Sequence, residues 1–69
     1  MSWHVFRLGI YGYWLPSGPD YANAATAKAH AVNQGRSATN GGTWRVTDGA
    51  ETYETTLRAN CGRTTWRKQ

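Results

Sequence analysis

The chain has 69 residues, 39% hydrophobic and 13% aromatic, with a net charge of +4. That length allows one domain, which buries only about 60% of the surface its unfolded chain exposes, so its core contributes little net stability. A single cysteine, Cys61, excludes an intrachain disulfide framework and a cysteine-based zinc cage.

The first element is read from SWHVFRL at 2–8, whose aromatic and β-branched residues predict a strand. Apolar side chains occupy both parities (Trp3 and Val5, Phe6 and Leu8), which predicts a central strand covered on both faces. Gly9 and Gly12 interrupt the following IYGYWL, so the run bends or forms a hairpin. Together with His4 they also break the apolar run well short of the roughly 20 residues a membrane span needs. No basic leader precedes the run, so a soluble, cytoplasmic protein is expected, with no membrane partner. PSGP at 16–19 ends the ladder.

Asp20 then stands where a helix cap is wanted, and YANAATAKAHAVNQ is dominated by alanine, the best helix former. Helical spacing groups Tyr21, Ala22, Ala25, Ala29 and Val32 on one face, with Asn23, Thr26, His30 and Gln34 mostly opposite. Gly35 is the expected stop. A face built of alanine lets a helix approach a sheet closely, the large aromatics coming from the sheet.

SATNGG at 37–42 is a connection, and TWRVT at 43–47 a strand with Trp44 and Val46 on one side, Arg45 and Thr47 on the other. Asp48–Gly49 predicts a tight two-residue hairpin turn. That turn would set Trp44 opposite Tyr53 and Val46 opposite Glu51. The returning ETYETTL keeps Tyr53, Thr55 and Leu57 on one side. The predicted class is α+β: a small antiparallel sheet in the order β, hairpin, α, β, β, with the alanine-rich helix packed on one face. Ser2-Trp3-His4-Val5 and Thr43-Trp44-Arg45-Val46 echo each other, as two core-facing strands would.

Charge divides the chain at residue 57. Residues 1–57 balance Arg7, Lys28, Arg36 and Arg45 against Asp20, Asp48, Glu51 and Glu54. The whole surplus lies in 58–69, RANCGRTTWRKQ, which is read as a basic C-terminal segment appended to a 1–57 domain, either an added strand or an arm.

No glycine-rich phosphate loop, metal-binding helix motif or serine nucleophile elbow is present in the sequence. Glu51 and Glu54 differ in parity and so point to opposite faces of a strand. A non-enzymatic protein without metal or cofactor is expected. Two binding candidates stand out. Arg58, Arg63, Arg67 and Lys68 would neutralise phosphates, Trp66 would stack on an unpaired base, and Arg45 would extend the patch, giving a nucleic-acid partner. Alternatively, Trp66 plugs the core as part of one more strand. Tyr11, Tyr13 and Trp14, in a glycine- and proline-bounded segment, have the character of protein-interface anchors. They would serve a protein partner in place of nucleic acid, with the sheet edge as another such surface; alternatively, a domain this small needs every aromatic to cover its own core. A homodimer would add to so small a core.

The short length, the alanine, glycine, threonine and arginine bias and the four tryptophans make the chain similar to small accessory proteins of phages infecting high-GC, actinobacterial-type hosts. That resemblance implies a non-enzymatic protein acting on a host protein or on nucleic acid in the host cytoplasm. Its order of W-x-V, alanine helix and W-R-V-x-D-G also looks like that of small β-α-β-β proteins.

Overall fold

The computed structural model describes residues 2–37, 42–57 and 64–69. Its elements are β1 (His4–Leu8), β2 (Trp14–Pro16), α1 (Ala24–Ser37), β3 (Gly42–Thr47), β4 (Thr52–Leu57) and β5 (Arg67–Lys68). The five strands form one antiparallel sheet in the order β2-β1-β3-β4-β5, and α1 lies on one face of it. The expected α+β class and the helix on one face both hold.

Side chains on that face build the core: Trp3, Val5, Trp44, Val46 and Leu57 from the sheet, Ala27 and Ala31 from the helix. The two echoed segments meet there, because Val5 stands opposite Val46 on neighbouring strands. The expectation that both faces of β1 are covered does not hold. The helix shields only the Val5 parity, and Phe6 and Leu8 are half-buried on an open face.

The helix differs from its expected outline in three ways. Asn23, and not Asp20, caps it: the Asn23 side-chain carbonyl accepts from the Thr26 amide at 2.8 Å and from the Thr26 hydroxyl at 2.9 Å. Asp20 instead pairs with His4 Nδ1 at 2.6 Å, beside the backbone bridge between Trp3 and Tyr21. The buried stripe is Ala27, Ala31 and Gly35, with Ala24 packed at its edge, while Ala22, Ala25 and Ala29 face water. Alanine on every side of a helix leaves spacing unable to choose a face. What chooses it is the small stripe that admits the sheet's largest side chains. Gly35 belongs to that stripe, so it does not stop the helix, which continues to Ser37. A Cβ at Gly35 would collide with Leu57 Cδ1 and lie 3.2 Å from Trp44 Nε1.

The β3–β4 connection is four residues, Asp48 to Glu51, not a two-residue turn. Thr47 stands opposite Thr52, Val46 opposite Tyr53 and Trp44 opposite Thr55. Asp48 Oδ1 accepts from the amides of Ala50 at 2.9 Å and Glu51 at 2.7 Å, an Asx arrangement that stabilises the longer loop. These amides, Glu51 first, hold the Asp48 carboxyl below its ordinary value of 3.8. Because the slip is two residues, every side chain keeps its face. The expected Trp44–Tyr53 pair is lost, and Tyr53 meets Trp3 instead, ring centroids 6.1 Å apart.

At the other side of the sheet, β5 adds to β4 with Tyr53 opposite Lys68 and Glu54 opposite Arg67. The Thr55 hydroxyl donates to the Thr65 carbonyl at 2.7 Å, and the half-buried Trp66 packs against the core. Lys28 lies over the Tyr53 ring at 3.9 Å and within 5.9 Å of the Trp66 ring, clasping this last strand to the helix. The described part of the basic segment is thus an added strand.

Candidate binding surfaces

Among the described residues, two surfaces are left uncovered by this architecture. The first is the tip of the β1–β2 hairpin. Gly9 N–H donates to Tyr13 O at 2.7 Å and Gly12 N–H to Gly9 O at 3.0 Å, closing the loop on itself. Gly12 supplies the left-handed residue (φ 86°) that the loop needs. The loop closes through these two bonds while its side chains point outward. Ile10 is 89% exposed, Tyr11 84%, Tyr13 73% and Leu15 53%. With Gly9 they line an open apolar cup of about 240 Å³. Arg7, opposite Leu15 on the same face, is exposed and has no carboxylate partner among the described residues. Pro16 lies on the outer strand, where its missing N–H blunts the sheet edge against further strand pairing.

The second surface is the open face of the sheet. One row crosses all five strands: Pro16, Phe6, Arg45, Glu54 and Arg67. Arg45 donates to Glu54 at 2.8 Å, and its guanidinium stacks on the Trp14 ring 4.2 Å from the centroid. Beside this row stand cross-strand threonine pairs, Thr43 with Thr56 and Thr47 with Thr52. Toward β5 the face hollows into an open groove of about 520 Å³, lined among others by Thr43, Glu54, Thr56, Thr65, Arg67 and Gln69.

The residues singled out from the sequence fall on different surfaces. Tyr11 and Tyr13 lie together at the tip, but Trp14 turns onto the open face, because it stands opposite Leu8 and alternates with Leu15. Arg45 and Arg67 share the open face. Trp66 and Lys68 lie on the helix side, Trp66 half-spent on the core and Lys68 paired with Glu51 at 3.3 Å. Arg58, Cys61 and Arg63 lie outside the described residues. The sequence reading missed Ile10 and Leu15 at the tip. The signal for them was available: Gly9 and Gly12 bracket Ile10 in a loop too short to fold it back onto the sheet.

No protein-family model, no curated protein and no solved structure matches this chain. No helix among the described residues is long and apolar enough to cross a membrane.

Proposed function

We propose that this is a non-enzymatic binding module that engages a protein partner through the tip of its β1–β2 hairpin. The observation that carries the reading is the exposure of Ile10, Tyr11 and Tyr13 on the closed β1–β2 loop, with Leu15 beside them on β2. A domain short of apolar surface for its own core places four large apolar side chains in water. Contiguous exposed apolar groups of this kind mark interaction sites, and tyrosines on a fixed loop bury much area at little entropic cost.

The shape and charge of the tip describe its partner. The four side chains offer on the order of 600 Å², less than the roughly 800 Å² each partner of a stable interface contributes. A concave apolar groove on a partner can take the whole tip and fill the cup between its side chains, whereas a second copy offers only the same four side chains. Residues 2–19 carry Arg7 and no acidic residue, so the groove is expected to have carboxylates at its rim. If the chain is a phage accessory protein, the partner is a host protein in the host cytoplasm.

The test places a photo-crosslinking residue at Tyr11 in the full chain, with Thr56 on the open face as control position. The reading expects one stoichiometric protein adduct from Tyr11 and none from Thr56. It also expects purified partner to lose binding on Ile10→Ser with Tyr13→Ser, and to weaken with Arg7→Glu. Equal adducts from both positions, or full binding by the double variant, would sink it. Sedimentation as a tip-dependent dimer, or tip-dependent capture by anionic vesicles, would replace it with self-association or a lipid surface.

A further inference from the structure

We infer that the open face of the sheet binds single-stranded nucleic acid, with Trp14 and Phe6 as the stacking end and Arg67 as the phosphate-binding end. Three observations carry this. Trp14 is half-buried with Arg45 stacked on its ring, and Phe6 is half-buried in the adjoining row, so rings are held in place at one end of the face. Rings held in advance lose little freedom when a base stacks on them.

The second observation is the charge balance along the row. Glu54 would repel a phosphate, but its carboxylate is committed to Arg45 at 2.8 Å. Arg67 stands directly across from Glu54 and makes no ion pair among the described residues. The row Arg45, Glu54, Arg67 therefore keeps one uncompensated cation, placed beside the threonine-lined groove. Hydroxyls of Thr43, Thr56 and Thr65 supply neutral hydrogen-bonding groups for phosphate and sugar oxygens, as side-chain hydroxyls do at nucleic-acid backbones.

The third observation is shape. Three strand spacings separate Phe6 on β1 from Arg67 on β5, about 14 Å, along one row that runs into the groove beside β5. Among the described residues no helix or two-stranded ribbon, the elements that a duplex groove admits, projects from this face. Unpaired bases can lie on such a face and stack on its rings. This places the contact on the sheet and not on Trp66 and Lys68, which face the helix side.

The experiment follows the fluorescence anisotropy of a labelled oligothymidylate of about twelve nucleotides as full-length protein is added, between about 50 and 200 mM salt. Binding is expected at the lower salt, and a duplex of the same length is expected to bind more weakly. Arg67→Gln should weaken binding and reduce the slope of log affinity against log salt by roughly 0.7. Trp14→Ala should weaken it about 5- to 100-fold, with Trp14→Phe, which keeps a ring, falling between. Tyr11→Ser with Tyr13→Ser should leave it unchanged. No anisotropy change at the lower salt, tighter binding to the duplex, or undiminished binding by Arg67→Gln or by a folded Trp14→Phe overturns the proposal.

Discussion

Gly12 in the β1–β2 loop and Gly49 in the β3–β4 loop both adopt a left-handed backbone, with φ of 86° and 96°. Around Gly49 the polar groups are used inward. Asp48 accepts two amides, and the Thr47 hydroxyl donates to Glu51 O at 2.9 Å and accepts from Gly49 N–H at 3.1 Å. Around Gly12 only the backbone closes on itself, and the apolar side chains stay in water. One loop stabilises the fold with its side chains, and the other presents them. A hairpin in a domain this small can be assigned to folding or to recognition by asking where its side chains point.

The largest effect should come from the strands that the β3–β4 loop joins. Trp44 is buried against the helix stripe, and Trp44→Ala should cost about 3–5 kcal/mol. That is comparable to the entire net stability expected of so small a core. Circular dichroism should find the variant largely unfolded at room temperature. A folded Trp44→Ala protein would mean that this hairpin is not the foundation of the core.

Next is Gly35→Ala. Helix propensity alone favours alanine by about 1 kcal/mol. Yet the new methyl would collide with Leu57 Cδ1 and press on Trp44 Nε1, and overpacking of this kind costs about 1–3 kcal/mol. Leu57 is itself buried, so its side chain has nowhere easy to go. Net destabilisation of about 1 kcal/mol in urea unfolding is expected. Stabilisation would show that helix and sheet do not meet closely.

These two sites also show what was legible in the sequence. Strand faces could be read from alternation alone, and they survived a two-residue register slip because parity did. The breaks followed from Gly9 and Pro19 and the helix from its alanines. Pro16, read as ending the ladder, is instead the last residue of β2 and pairs with Phe6, because on an edge strand its missing N–H costs no ladder bond. Its buried face could not be read, because alanine marks no side; Trp44 and Leu57 choose the stripe from a distance in sequence. The register itself turned on Asp48 accepting amides two and three residues on, which lengthens a loop that Asp-Gly alone suggests is tight. At the tip, Tyr11 and Tyr13 were legible as loop aromatics, whereas Ile10 and Leu15 look like core residues until β2 is placed at the edge. The outward direction of Arg45 was legible, but its pairing with Glu54 and stacking on Trp14 depend on register across three strands. Lys68 was read as a free cation because its partner, Glu51, is brought near only by β5.

A smaller effect concerns the polar loop and pH. The folded Asp48 carboxyl titrates below its ordinary value because two amides favour its charged form. Its contribution to stability is therefore fully present above the unfolded value near 3.8. It is lost as pH falls through the lower folded value. Asp48→Asn keeps the acceptor oxygen but cannot titrate. The melting temperature of the variant should fall less steeply with acid than that of the parent below about pH 4, and the two should run parallel near neutrality. Parallel curves throughout would remove Asp48 from the loop's stabilising groups.

The smallest effect on folding should come from the apolar loop, and it is the most discriminating. Replacing Ile10, Tyr11 and Tyr13 by serine removes the exposed tip but leaves Gly9 and Gly12 to close the backbone. Surface substitutions of this kind usually shift stability by no more than about 0.5 kcal/mol each. Here they remove apolar surface from water in the folded and unfolded chains alike, so the urea midpoint should hardly move. If the triple variant instead loses more than about 3 kcal/mol, twice what three such substitutions cost at most, the tip contributes to the fold. The two hairpins would then differ in composition and not in role. If stability holds while binding of the partner captured at Tyr11 vanishes, Ile10, Tyr11 and Tyr13 have recognition as their reason for being exposed.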